Sequence, residues 1–161
     1  MKSKFKILFI CLLLVYSSVY ANEQEINLNT IIDNAVKEKK QIAVFFHMTH
    51  CGYCKRMKNR TLQDPQIQAI MKKSFVLVDV NIDHKESVQF NNIRHSKKEF
   101  AHSIDVDFFP TVLFFDENYD VIYTVRGYRD SKKFKQILQF IETKSYDSMD
   151  FFDFEQKKKE E

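Results

Sequence analysis

Apolar residues along the chain follow two rhythms. Leu28, Ile31, Ile32, Ala35 and Val36 recur at the spacing of one helix face, behind Asn27 or Asn29 as a cap. Phe134, Ile137, Leu138 and Ile141 repeat that spacing behind Asp130 or Ser131. Ile67, Ile70 and Met71 do so behind Asp64-Pro65, a capping side chain followed by proline at the first helical position. Ser96-Lys97-Lys98-Glu99 has the form of a capping box and opens a short helix carrying Phe100 and Ile104. The second rhythm is that of strands. Gln41–His47 is a continuous apolar run suited to a buried strand, whereas residues 75–82 alternate. There Val76, Val78, Val80 and Ile82 share one face, and Phe75, Leu77, Asp79 and Asn81 the other, so Asp79 interrupts an apolar sheet. Residues 111–116 and 121–126 flank Glu117-Asn118-Tyr119-Asp120 as a hairpin, which Gly127 ends. With a helix from Cys51 to about Asn59, the order is α-β-α-β-α-β-β-α. Residues 83–95 are polar, show no clear period and read as a surface insertion.

Length changes this picture little, because 161 residues suit one core of ordinary size. The N-terminus changes it more. Residues 1–21 combine basic Lys2, Lys4 and Lys6, an apolar stretch from Ile7 to Val15, and Ser17-Ser18-Val19-Tyr20-Ala21, where Val19 and Ala21 suit signal peptidase. A cleaved secretory signal is expected. The alternative is an uncleaved anchor, against which stands a run shorter than the roughly 18 to 20 residues needed to span a bilayer. Cys11 would leave with the signal, as would three of the 25 basic residues, leaving 22 of each sign and a net charge near zero. That argues against a basic nucleic-acid surface. Residues 22–143 are expected to form the domain, and 144–161 a tail that alternates acidic and aromatic residues before Lys157-Lys158-Lys159. Its phenylalanines either dock on the domain or form a strip for a partner.

The mature chain would hold only Cys51 and Cys54, in an oxidising compartment where structural disulfides usually close longer loops. A pair this close is suited to reaction. Cys51-Gly52-Tyr53-Cys54 follows a strand and opens a helix, so the first thiol sits where unpaired N–H groups and the helix dipole favour a thiolate. Cys51 is therefore the expected nucleophile, and Cys54, one turn in and more buried, the expected resolving thiol. His50 either stabilises the Cys51 thiolate or is a solvated loop residue, and His47 reads as the end of a strand. Lys55, Arg56 and Lys58 either add positive potential or form a solvated helix face. Tyr53 either shapes the substrate surface or covers the second thiol. A rival reading makes the two thiolates, with His50 or His47, a copper or zinc site; His84, His95 and His102 are scattered and form no familiar ligand motif. No metal and no cofactor is expected.

Several elements in fixed order resemble the thioredoxin superfamily. They are Cys51 to Met57, the later Asp64-Pro65, the strand from Phe75 to Val80, Phe109-Pro110-Thr111, and Arg126-Gly127-Tyr128, with Pro110 lying 56 residues after Cys54. The nearest pattern is that of exported bacterial thioredoxin-like proteins associated with sulfur oxidation and of Dsb-type periplasmic oxidoreductases. The resemblance implies a central mixed sheet with helices on both faces, and a cis Pro110 in a loop near the cysteines. The Phe109 backbone would pair with an extended substrate. It also implies exchange with oxidised periplasmic protein substrates, working as a reductase rather than an oxidant and recharged by a membrane thiol reductase. The strongest oxidases carry a large helical insertion and Pro-His between the cysteines; both are missing here. Known periplasmic isomerases add an N-terminal dimerisation domain, so a monomer is expected. The chain departs from thioredoxins proper in having His50 where they have tryptophan, Gly52-Tyr53 where they have Gly-Pro, and Phe45 where they bury an aspartate for proton transfer. Asp79, in the strand position of their buried lysine, is the candidate to take over that role.

Overall fold

The computed structural model describes residues 25–160. The expected signal segment and Cys11 lie outside the described residues. A four-stranded sheet in the order β3-β2-β6-β7 forms the centre, from β2 (Gln41–His47), β3 (Phe75–Asn81), β6 (Thr111–Phe115) and β7 (Val121–Arg126). It is mixed: β2 runs parallel to β3 and antiparallel to β6, and β6 is antiparallel to β7.

Alternation along β2 divides the core in two. Ala43 and Phe45 face one apolar cluster with Met57, Phe114, Phe134 and Leu138, while Ile42, Val44 and Phe46 face another with Leu28, Ile32 and Phe100. Helices cover both faces for that reason. On the second face lie α1 (Leu28–Lys37), capped by the Asn27 side chain, and α4 (Lys97–Ser103), whose Ser96 and Glu99 form the expected capping box. On the first face lie α3 (Pro65–Ser74), capped by Asp64, and α5 (Ser131–Glu142), capped by Asp130.

The stretch read as a surface insertion carries two short strands. Strands β4 (Ser87–Phe90) and β5 (Ile93–Ser96) form a hairpin, and β4 also pairs in parallel with β1 (Ile26–Asn27) to make a separate three-stranded sheet. Asn91 and Asn92 turn this hairpin with φ of 50° and 64°, a left-handed pair that asparagine tolerates. Val88 and Phe90 enter the second cluster, and Phe90 packs edge-on against Phe100 and Phe115.

The tail also has a defined place. After a 3₁₀ turn (Ser145–Asp147) comes α6 (Phe151–Glu160), where Phe154 is buried against the ring of Phe140 at 5.3 Å. Phe140 lies on α5 beside the expected stripe and also meets Tyr123, Tyr146 and Phe151. No helix among the described residues is long and apolar enough to cross a membrane.

Candidate active site

At the C-terminal end of β2 the chain turns at residues 48–50 into α2 (Gly52–Arg56), and Cys51 is its N-cap. The helix continues without a break as a π-helix (Met57–Thr61), closed by a bond from Leu62 N to Met57 O of 2.9 Å. Cys51 and Cys54 are joined as a disulfide, and the Cys54 amide donates to the Cys51 sulfur at 3.1 Å. Cys51 is partly exposed, while Cys54 is 1% exposed. One sulfur therefore meets solvent at a helix start and the other is enclosed.

Two loops, one before β6 and one after β7, lie against each other. The Phe109–Pro110 peptide bond is cis. Pro110 is buried, its carbonyl accepts from Gly127 N at 2.7 Å, and Thr111 Oγ1 donates to Phe108 O at 2.7 Å. Gly127 has φ +86°, which a β-carbon would strain, and Phe108 already packs beside it. Thr61 at the end of the π-helix donates through Oγ1 to Arg129 O at 2.7 Å, tying the cysteine-bearing segment to the loop after β7. Next to that tie, Tyr53 packs at 6.1 Å from Tyr128, and the Arg56 guanidinium lies 4.7 Å over the Tyr128 ring. Tyr53 and Phe108 are exposed and flank the loops as apolar surface. Gly52 has open space where a side chain would sit, so no close approach requires glycine there. His50 is exposed.

Asp79 sits directly opposite Phe45 in the β2–β3 register. Strand β3 is an outer strand, and the Asp79 side chain remains 44% exposed. Its two oxygens are taken by different partners: Oδ1 by His47 Nε2 at 2.6 Å and Oδ2 by Lys58 Nζ at 2.7 Å. Partial burial opposes ionisation, but the hydrogen bonds from His47 and Lys58, with their charges, outweigh it and hold this carboxyl down at about 2. A carboxyl that acidic stays ionised at neutral pH and carries no proton there. Asp79, the residue expected to assist proton transfer, is thus placed as the shared ion-pair partner of His47 and Lys58. His47 ends β2 as expected, yet it is buried, stacked on Phe45 at 4.9 Å and paired with Asp79. The sequence offered no sign of this triad, since it depends on a strand register and a helix placement together. Lys58, read as a solvated side chain or a source of potential, is one member of it.

Among the described residues no group of three or more His, Cys, Asp or Glu is arranged to hold a metal ion. His84 instead meets Asn81, and His95 lies against the Phe100 ring.

The profile of the thioredoxin-like domain family matches residues 28–142. No curated protein matches the chain. Among solved structures, a thioredoxin-fold protein from Helicobacter pylori is similar, with 26% identity, a TM-score of 0.62 and 86% of each chain covered. A thioredoxin from Thermus thermophilus has 21% identity and a TM-score of 0.58, covering 73% of this chain and 85% of that one. The C-terminal domain of DsbD from Neisseria meningitidis, in its oxidised form, has 19% identity and a TM-score of 0.52, covering 72% of this chain and 97% of the other. The last two likenesses concern the fold alone.

Proposed function

The chain belongs to the thioredoxin-like domain family, and from that membership and its paired cysteines we propose that it is a periplasmic reductase of protein disulfides. Its general class is that of a thiol–disulfide oxidoreductase. The observation that carries the reading is the bridge from an accessible N-cap sulfur to an enclosed sulfur one turn in. In the reduced protein the Cys51 thiolate attacks a client disulfide, forming a mixed disulfide and expelling one client thiolate. Cys54 then attacks the Cys51 sulfur, closes the protein's own disulfide and releases the second client thiol. Two electrons have passed to the client. The helix start favours the Cys51 thiolate, and the exposed rings of Tyr53 and Phe108 offer apolar contact to a client segment lying along the Phe109 backbone.

Export rests on the basic, apolar and small-residue pattern of residues 1–21, and the reducing direction on the Gly52-Tyr53 pair and on the likeness to exported reductases. A membrane thiol reductase then restores the dithiol. Thiol alkylation in intact cells tests location and direction together. A processed chain in the periplasmic fraction with Cys51 and Cys54 mainly reduced is the expected result. An unprocessed chain in the cytoplasm refutes the location, and a pair held oxidised while membrane reductases are intact refutes the direction.

A further inference from the structure

The helical segment that carries the cysteines is charged with one sign. From residue 48 to 63 the chain holds His50, Lys55, Arg56, Lys58 and Arg60, and no Asp or Glu. Among the described residues Lys58 alone of these meets a carboxylate, that of Asp79 at 2.7 Å. Arg56 lies over the Tyr128 ring, and Lys55, Arg56 and Arg60 are all exposed. Together with Asn59 these three line one shallow hollow on the segment.

Folding gains nothing from this arrangement. Arg56 and Arg60 are like charges four residues apart on the rim of one hollow, a spacing at which they weaken a helix. Lys55 stands close to the start of α2, where the positive end of the helix dipole disfavours a cation. A carboxylate seated in the hollow relieves both conflicts. Its two oxygens suit guanidinium donors, and the Asn59 amide adds a neutral one. The hollow also has a firm base: Cys54 and Met57 are buried beneath it, and Thr61 ties the end of the segment to Arg129 O at 2.7 Å. The Tyr128 ring steadies Arg56 without neutralising it.

We infer that this hollow docks acidic side chains of the client, so that the protein selects disulfides with Asp or Glu within about four residues of the attacked cysteine. This rests on the oxidoreductase reading and names the substrate class of that same site. The reach follows from the dimensions of the two chains. The Lys55 amide is bonded to Cys51 O at 3.0 Å, one turn from the reacting residue. At a rise of 1.5 Å per residue, Arg60 lies about 13 Å along the segment from Cys51. An extended client rises about 3.3 Å per residue and covers that distance in about four residues. Client acids next to the attacked cysteine therefore meet Lys55, and those farther along meet Arg56 and Arg60. A client carrying lysine there meets the same cations as repulsion, so attraction and exclusion both contribute to the choice.

The test is single-turnover reduction of three synthetic disulfide-closed peptides by an excess of the reduced full chain, quenched in acid and followed by mass spectrometry. The peptides are identical except for Asp, Asn or Lys at the positions two and four residues outside one cysteine. Each rate is divided by that of the same peptide with dithiothreitol, which removes differences in the peptides' own reactivity. At low salt the Asp peptide should react about 3- to 10-fold faster than the Asn peptide, and the Lys peptide slower by a similar factor, as expected of one or two exposed ion pairs. At about 1 M salt, where charges are screened beyond about 3 Å, the three rates should converge. Arg60→Glu and Lys55→Glu change exposed side chains without an ion-pair partner among the described residues, and each should shrink or reverse the ratio of Asp to Lys rates. Any effect of the altered charge on the Cys51 thiolate divides out of that ratio. Equal Asp and Lys rates in wild type overturn the inference, as does a ratio that persists in 1 M salt or that both variants leave unchanged. Failure to reduce any of the three peptides, the Asn peptide included, instead defeats the oxidoreductase reading, which keeps the two failures distinct.

Discussion

Replacing Phe154 by alanine tests whether α6 is part of the folded unit. Phe154 is 5% exposed, with the Phe140 ring at 5.3 Å and the Phe151 ring at 6.4 Å. Truncating a phenylalanine in a core usually costs about 3–5 kcal/mol, from lost apolar burial and the cavity left behind. The lower end applies here, because a terminal helix can lift away and limit the loss to whatever its docking contributed. That docking includes the Lys133 ammonium, 4.7 Å over the Phe151 ring, and its ion pair with Glu155. An expected loss of about 3 kcal/mol, divided by a urea slope of about 2 kcal/mol per molar for a domain of this size, lowers the unfolding midpoint by about 1.5 M. Phe152→Ala is the internal control. Phe152 is 64% exposed, and its removal should stay within about 0.5 kcal/mol of wild type. Urea unfolding of all three proteins, followed by circular dichroism with the disulfide intact, gives the comparison. If Phe154→Ala melts with wild type and Phe152→Ala, the tail contributes nothing to the fold and the placement of α6 is wrong.

Cys54→Ser should accumulate clients as mixed disulfides on Cys51, visible as a ladder on non-reducing gels, whereas Cys51→Ser should not; the opposite pattern reverses the roles of the two thiols. Gly127→Ala should destabilise by about 1–2 kcal/mol, the usual cost of a left-handed conformation for a residue with a β-carbon, and a melting temperature equal to wild type would refute it. Asp79→Asn should cost about 1 kcal/mol at neutral pH, a shift from 3.8 to about 2 being discounted for a carboxylate that water reaches. Because the folded carboxyl is the more acidic, that contribution is complete above about pH 4 and fades as the pH falls towards 2, so the stability gap between wild type and variant should close in acid. A gap that persists there would assign the effect to packing.

Elements with long apolar periods were legible from the chain, because a stripe such as Phe134, Ile137, Leu138 and Ile141 can be buried only in one conformation. The cysteine pair was legible for a related reason, as its placement follows from a strand running into a helix. What escaped notice depends on contacts between distant segments. The β4–β5 hairpin is short and has polar flanks, and only Asn91-Asn92 between Val88-Gln89-Phe90 and Ile93 marked it, a local turn signal that lack of period outweighed. Phe140 lies beside the stripe of α5, and its burial comes from Tyr123 of β7 together with the tail folding back over the helix, which a helical period cannot register.

The triad is the sharpest case. Phe45 occupies the inner strand position, and the ionisable groups lie around it: His47 two residues on, Asp79 across the strand pair and Lys58 on the helix above. Each has an ordinary solitary reading, as a strand end, a polar interruption and a solvated lysine. Only the parallel register of β2 and β3, combined with the course of the π-helix, brings the three within hydrogen-bonding distance. The consequence is a fixed geometry: a carboxyl shared between imidazole and ammonium stays ionised and holds the buried ring at the end of β2.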